Sequence, residues 1–212
     1  MSRAALVIEF LLLFVAMPLG YRFSPRPIPP LPILWAAAIY CYWQLRRDPT
    51  FSRSQLWNTG PFVSQLPSIL LCFVICAVLV GLAVRLFAPD LLFSFVRSNP
   101  GFWAVVMILY PVLSAYPQGI IYRSFLMHRY APIFPSGTLL ILVSASAFAL
   151  MHIIFRNPLA VALTFAGGLL FAWRYKATGS LFTSTVEHAL YGCWLFTVGL
   201  GQYFYHGRIA LK

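Results

Sequence analysis

Two histidines, a glutamate, a glutamine and an arginine stand inside stretches that are otherwise apolar. His152 lies in SASAFALMHIIFRN, His188 follows Glu187 in SLFTSTVEHALYG, and Gln118 and Arg123 share AYPQGIIYRSFLMHRY. Polar and ionisable side chains are costly inside a bilayer, so each is a candidate for function. A neutral imidazole can orient or deprotonate a water, and a second can donate to a developing oxyanion. A carboxylate is the usual partner in such water activation. Two histidines with a carboxylate as third ligand could instead hold a divalent metal such as zinc. The chain has no HExxH, so His152 and His188 would have to meet across helices to do so. Small residues flank both histidines and let helices approach closely, which favours a shared site over two isolated core histidines.

The remaining polar residues narrow the set. Of the four acids, Asp48 and Asp90 fall in loops, which leaves Glu9 and Glu187 as intramembrane acids against one deep cation, Arg123. His128 and His206 lie near helix ends, where an interfacial hydrogen bond is the simplest role. Asn157 precedes Pro158 and reads as a helix cap. Cys41, Cys72, Cys76 and Cys193 all sit in apolar runs, and Cys72 and Cys76 are four apart, which is neither a redox nor a zinc spacing.

Composition dictates the scaffold that must position these groups. The chain is 61% hydrophobic and 9% charged, with a mean hydropathy of +0.82. Soluble domains carry roughly 25% charged residues. The expected fold is therefore all-α: a polytopic membrane protein forming one integral domain over residues 1–212. Apolar segments bounded by Pro, Gly or charge run over about 4–19, 28–45, 67–88, 102–130, 137–155, 158–175 and 180–204. They predict seven transmembrane helices in one bundle, or eight if Pro111 and Pro117 break the fourth. The first segment resembles a signal peptide but lacks a small-x-small cleavage site and is interrupted by Glu9, which points to an uncleaved helix. Gly167 and Gly168 predict a close packing face.

The net charge of +11 is distributed as anchors, at Arg22 and Arg26, Arg46, Arg47 and Arg53, Arg174 and Lys176, and Arg208 and Lys212. Placed at the ends of apolar runs, such residues snorkel to anionic lipid headgroups; no soluble basic domain exists to bind nucleic acid. The basic loops 46–58 and 174–179 are four crossings apart and are expected on the same, cytoplasmic side, with 89–101 opposite. Arg208 and Lys212 run against that rule.

Taken in order, QGIIYR (118–123), FALMH (148–152), HIIFRN (152–157) and EHALYG (187–192) resemble the motifs of the CAAX-protease and bacteriocin-processing (CPBP, or Abi) intramembrane proteases. The likeness spans about residues 102–206 and takes the form of bacterial members with a YPQE-x-x-x-R first motif, leaving 1–101 as additional transmembrane helices. The resemblance implies an endopeptidase of a bacterial inner (cytoplasmic) membrane acting on a peptide or membrane-protein substrate. It casts His152 as the water-activating histidine beside a motif-one glutamate, His188 with a neighbouring amide as the oxyanion site, and Arg123 as the residue ordering them.

This chain departs from that pattern twice. The Glu-Glu pair falls on Gln118 and Gly119, and the amide falls on Gly192 or Cys193. A glutamate at 119 would lie four residues before Arg123, on the same helix face, as its ion-pair partner. With glycine there, Glu187 is expected to approach Arg123 and cover for the missing carboxylate. The expected catalytic set is then His152, His188 and Glu187, supported by Gln118, Arg123 and Asn157. A catalytically impaired member acting as a membrane chaperone or regulator is the alternative, ahead of a small transporter, for which no inverted repeat is visible.

Overall fold

The computed structural model describes residues 2–25 and 28–204. Arg26, His206, Arg208 and Lys212 lie outside the described residues. Among the described residues, seven long helices form the bundle: α1 (Arg3–Phe23), α2 (Pro30–Arg47), α3 (Gly60–Phe87), α4 (Pro100–Arg129), α5 (Gly137–Met151), α6 (Pro158–Thr178) and α7 (Leu181–Val198). No strand occurs among the described residues. The helices α1, α3, α4, α5 and α6, α3 and α5 with their flanking short turns, are long and apolar enough to cross a membrane. The remaining two, α2 and α7, are 18 residues each and pack among them.

α4 is the centre of the bundle. Residues 119–127 are buried without a break, as expected for a helix with neighbours on every side. Its prolines do not break it, so the fourth apolar segment forms one helix and not two. The chain instead passes through wide π turns at Pro111–Ala115 and Ile120–Phe125 while keeping right-handed helical dihedrals. A proline also strips the hydrogen bond from the carbonyl four residues before it, and in a membrane that group needs another partner. Neighbouring helices supply both. Trp35 Nε1 of α2 donates to the Leu113 carbonyl (3.1 Å), four before Pro117, and the Cys193 thiol of α7 reaches the Met107 carbonyl (3.9 Å), four before Pro111.

α5 and α6 meet closely where the glycine pair predicted it. A Cβ on Gly168 would lie 3.0 Å from the Ala145 backbone, so only glycine permits this approach. Ser144 of α5 donates to the Tyr122 carbonyl of α4 (2.7 Å), and Ser184 of α7 to the Phe171 carbonyl of α6 (2.8 Å). These bonds fix α5, α6 and α7 around the central helix.

The two basic loops share one end of the bundle, as their charge predicted. Tyr175 donates to Gln55 (2.8 Å) and Ser180 to the Asn58 carbonyl, while at the opposite end Phe93 N donates to the Val198 carbonyl (3.4 Å). At the basic end the interfacial role read for His128 is realised: its Nε2 lies 3.0 Å from Asp48 Oδ2. Glu9, expected as an intramembrane acid, binds Arg129 (3.0 Å) and Tyr130 (3.3 Å).

Candidate active site

A cavity of about 1310 Å³ runs between the helices, and its wall is almost entirely apolar. Among the polar exceptions in that wall are Tyr110, Gln118, His152 and His188, and Gly192 leaves a gap in it. Three helices are needed to assemble them: α4 brings Tyr110 and Gln118, the end of α5 brings His152, and α7 brings His188 and Gly192.

His152 closes α5. Its Nδ1 lies 2.7 Å from the Phe148 carbonyl of the preceding turn. A carbonyl can only accept, so Nδ1 carries the proton and Nε2 keeps the lone pair. The ring packs on Phe148 (4.7 Å between centroids), and the edge of Phe148 also meets His188 (5.5 Å). The two histidines thus flank one aromatic ring. His188 stacks on Phe171 (4.7 Å), and its Nε2 lies 3.1 Å from the Tyr110 hydroxyl.

The first-motif positions separate. Gln118 lines the cavity; its amide nitrogen donates to Ser114 (2.8 Å), and its Oε1 is buried with no partner among the described residues. Gly119 faces α7 instead, where a Cβ would meet Leu181 Cδ1 at 2.9 Å and Thr185 Oγ1 at 3.0 Å. The side chain that could act in the cavity is therefore the glutamine, and the glycine is a helix contact.

Three expectations are corrected here. Glu187 does not approach Arg123. It forms a two-pronged ion pair with Arg174 of α6, Nε to Oε2 at 2.9 Å and Nη2 to Oε1 at 2.9 Å, and points away from the cavity. Arg174 in turn is no headgroup anchor. It is 1% exposed and binds Gln65 and Ser68 of α3 as well, so the bundle holds a second deep cation. Arg123, expected to take Glu187 as its partner, has no acceptor among the described residues. Its guanidinium is 1% exposed, makes no hydrogen bond among the described residues, and lies over the rings of Phe148 (4.5 Å) and Phe171 (5.2 Å). Two aromatic faces stand where a carboxylate was expected.

Asn157 caps α6, accepting from Leu159 N (2.8 Å) and Ala160 N (3.4 Å), and is not part of the cavity wall. The donor set does not fit zinc. His152 and His188 find no third His, Cys, Asp or Glu converging with them among the described residues, and a zinc site takes at least three protein ligands. Tyr110 escaped the sequence reading, because 78 residues separate it from His188 and no spacing links them.

The fold and the site together describe a multi-pass helical bundle with two histidines at one apolar cavity. Residues 99–194 match the family model described as type II CAAX prenyl endopeptidase Rce1-like. This segment, somewhat under half of the chain, contains Tyr110, Gln118, His152, His188 and Gly192, and through it the chain is similar to the CPBP/CAAX-protease family of membrane endopeptidases. No curated protein and no solved structure matches it.

Proposed function

We propose that the chain is an endopeptidase of a bacterial inner membrane that hydrolyses a peptide bond near the apolar or lipid-linked end of a membrane-associated peptide, with His152 as the general base. One observation carries this reading. His152 is protonated on Nδ1 by its bond to the Phe148 carbonyl, so its basic nitrogen is Nε2, at the wall of a cavity that His188 also lines.

The chemistry follows from the residues. Nε2 of His152 takes a proton from water as the water oxygen bonds to the scissile carbonyl carbon, and the carbonyl π electrons move to oxygen. Gln118 Oε1, buried and unpartnered, accepts the other proton of that water as a hydrogen bond and orients it. When the tetrahedral adduct collapses, the C–N bond breaks and His152 returns its proton to the departing amine. A positioned base of this kind contributes about 10²–10⁴ in rate. The apolar wall receives the apolar end of the substrate, and the basic residues at the helix ends hold anionic headgroups, not nucleic acid.

A second reading has its own support. None of the four acids lines the cavity, and a glutamine amide cannot take a proton at neutral pH. A member that binds membrane segments without cleaving them, as a chaperone or regulator, would have this wall. Cleavage of a membrane-inserted fluorogenic peptide by the purified chain, and its loss in His152→Ala, separates the two.

A further inference from the structure

α7 carries a glycine where the oxyanion site of the proposed protease lacks its amide, and the space is not empty. His188 and Gly192 are four apart and share one helix face, so any side chain at 192 would stand beside His188. A Cβ built on Gly192 would lie 2.3 Å from Cε1, Cζ and Oη of Tyr110. The phenol therefore occupies the volume into which a residue at 192 would grow, and it puts its hydroxyl 3.1 Å from His188 Nε2. Cys193, the other place for the amide, turns its thiol to the Met107 carbonyl and is not part of the cavity wall.

We infer that Tyr110 has taken over the work of the missing amide: it fixes the donor tautomer of His188 and presents its own O–H to the cavity as an oxyanion donor. The place of the spare hydrogen gives the direction. His188 Nδ1 is buried with no partner among the described residues. Either direction leaves one hydrogen without a protein acceptor: a sealed Nδ1–H if the phenol donates to Nε2, or the phenolic O–H at the cavity wall if the phenol accepts, and only the second can be met by a bound substrate oxygen. The proton therefore sits on Nε2 and is donated to the Tyr110 oxygen, which leaves the phenolic hydrogen free for the cavity. As the scissile carbonyl oxygen gains charge it accepts that hydrogen bond, and the phenol keeps its proton throughout. The bond from His188 polarises the phenol and strengthens its donation. The oxyanion role rests on the endopeptidase reading; the pairing of Tyr110 with His188 does not.

The test uses the full chain, ¹⁵N-labelled on histidine, in lipid nanodiscs. His188 is expected to show a protonated Nε2 and an unprotonated Nδ1, and Tyr110→Phe, which removes the hydroxyl and with it the acceptor of that bond, should shift both resonances while leaving those of His152 in place. Unchanged His188 resonances in Tyr110→Phe overturn the inference, whether or not the protein cleaves anything. In a cleavage assay Tyr110→Phe should lower kcat roughly 10²-fold with little change in KM, the size of loss of one oxyanion donor. Gly192→Asn alone should abolish activity because its side chain collides with the phenol. Adding Gly192→Asn to Tyr110→Ala should recover activity relative to Tyr110→Ala, and no recovery overturns the exchange of roles. If no form cleaves while the His188 resonances still respond to Tyr110→Phe, the pairing stands and the endopeptidase reading falls.

Discussion

Glu187 gives both of its carboxylate oxygens to Arg174, each at 2.9 Å, and the pair is sealed from solvent at 0% and 1% exposure. This contact does more than neutralise two charges. Glu187 precedes His188 on α7, so clamping the glutamate to α6 sets the rotation that turns the histidine, about 100° around the helix, toward the cavity. Breaking one side of a buried pair leaves an uncompensated charge and costs about 3–5 kcal/mol, whereas replacing both by apolar residues of similar volume is often neutral. Arg174→Met is expected to lose that amount in reversible unfolding from mixed micelles, and Arg174→Met with Glu187→Leu to recover most of it. Equal losses in the single and double variants would contradict the pair.

Arg123 predicts the opposite outcome for the same substitution. With no hydrogen-bond acceptor, its burial is offset only by two aromatic faces, worth about 2 kcal/mol when desolvated. Arg123→Met keeps the packing and removes the charge. Its unfolding free energy should equal or exceed that of the unsubstituted chain. A loss comparable to that of Arg174→Met would mean that Arg123 has an anionic partner.

The glycine of the α5–α6 contact can be weighed against one in open space. The nearest atom to a Cβ on Gly168 is backbone, at 3.0 Å, and backbone cannot turn aside; a Cβ on Gly20 meets nothing within 4 Å. Gly168→Ala is expected to cost about 1–3 kcal/mol by overpacking. Gly20→Ala should be neutral or gain up to about 1 kcal/mol through helix propensity. The two unfolding curves, recorded side by side, check the order.

The helices, the central polar segment and the glycine contact were legible in the sequence because they depend on local properties: apolar length, punctuation by Pro and Gly, and residue size. The histidine pair was legible through motif order. What could not be read was pairing across distance. Arg174 sits near the end of an apolar run, which is where a snorkelling anchor also sits, and only the three-dimensional approach of Gln65, Ser68 and Glu187 distinguishes the two. Spacing could not show that position 119 faces Leu181 while position 118 faces the cavity. Tyr110 gave one faint signal, the glycine at 192 that makes room for it.

At the basic end, the hydroxyl and amide of Thr50 donate to Asp48, and His128 adds its own bond; together they hold the Asp48 carboxyl down from 3.8 to about 2. A carboxyl lowered on folding favours the folded state while ionised. That contribution is complete above the unfolded-state value of about 4 and fades as pH falls from about 4 through 2. The unfolding midpoint of the unsubstituted chain should drop across this interval more steeply than that of Asp48→Asn. Parallel curves would show that the Thr50 and His128 contacts do not couple to stability.

The proposed hydrolysis requires His152 as the base in a cavity whose first-motif side chain is Gln118. The direct measurement is hydrolysis of a membrane-inserted fluorogenic peptide by the purified full-length chain in nanodiscs, compared with His152→Ala, Gln118→Glu and Gly119→Glu. Slow cleavage by the unsubstituted chain, lost in His152→Ala and raised by up to about 10²-fold in Gln118→Glu but not in Gly119→Glu, is the predicted result. Cleavage that survives in His152→Ala, or a gain in Gly119→Glu with none in Gln118→Glu, would contradict it.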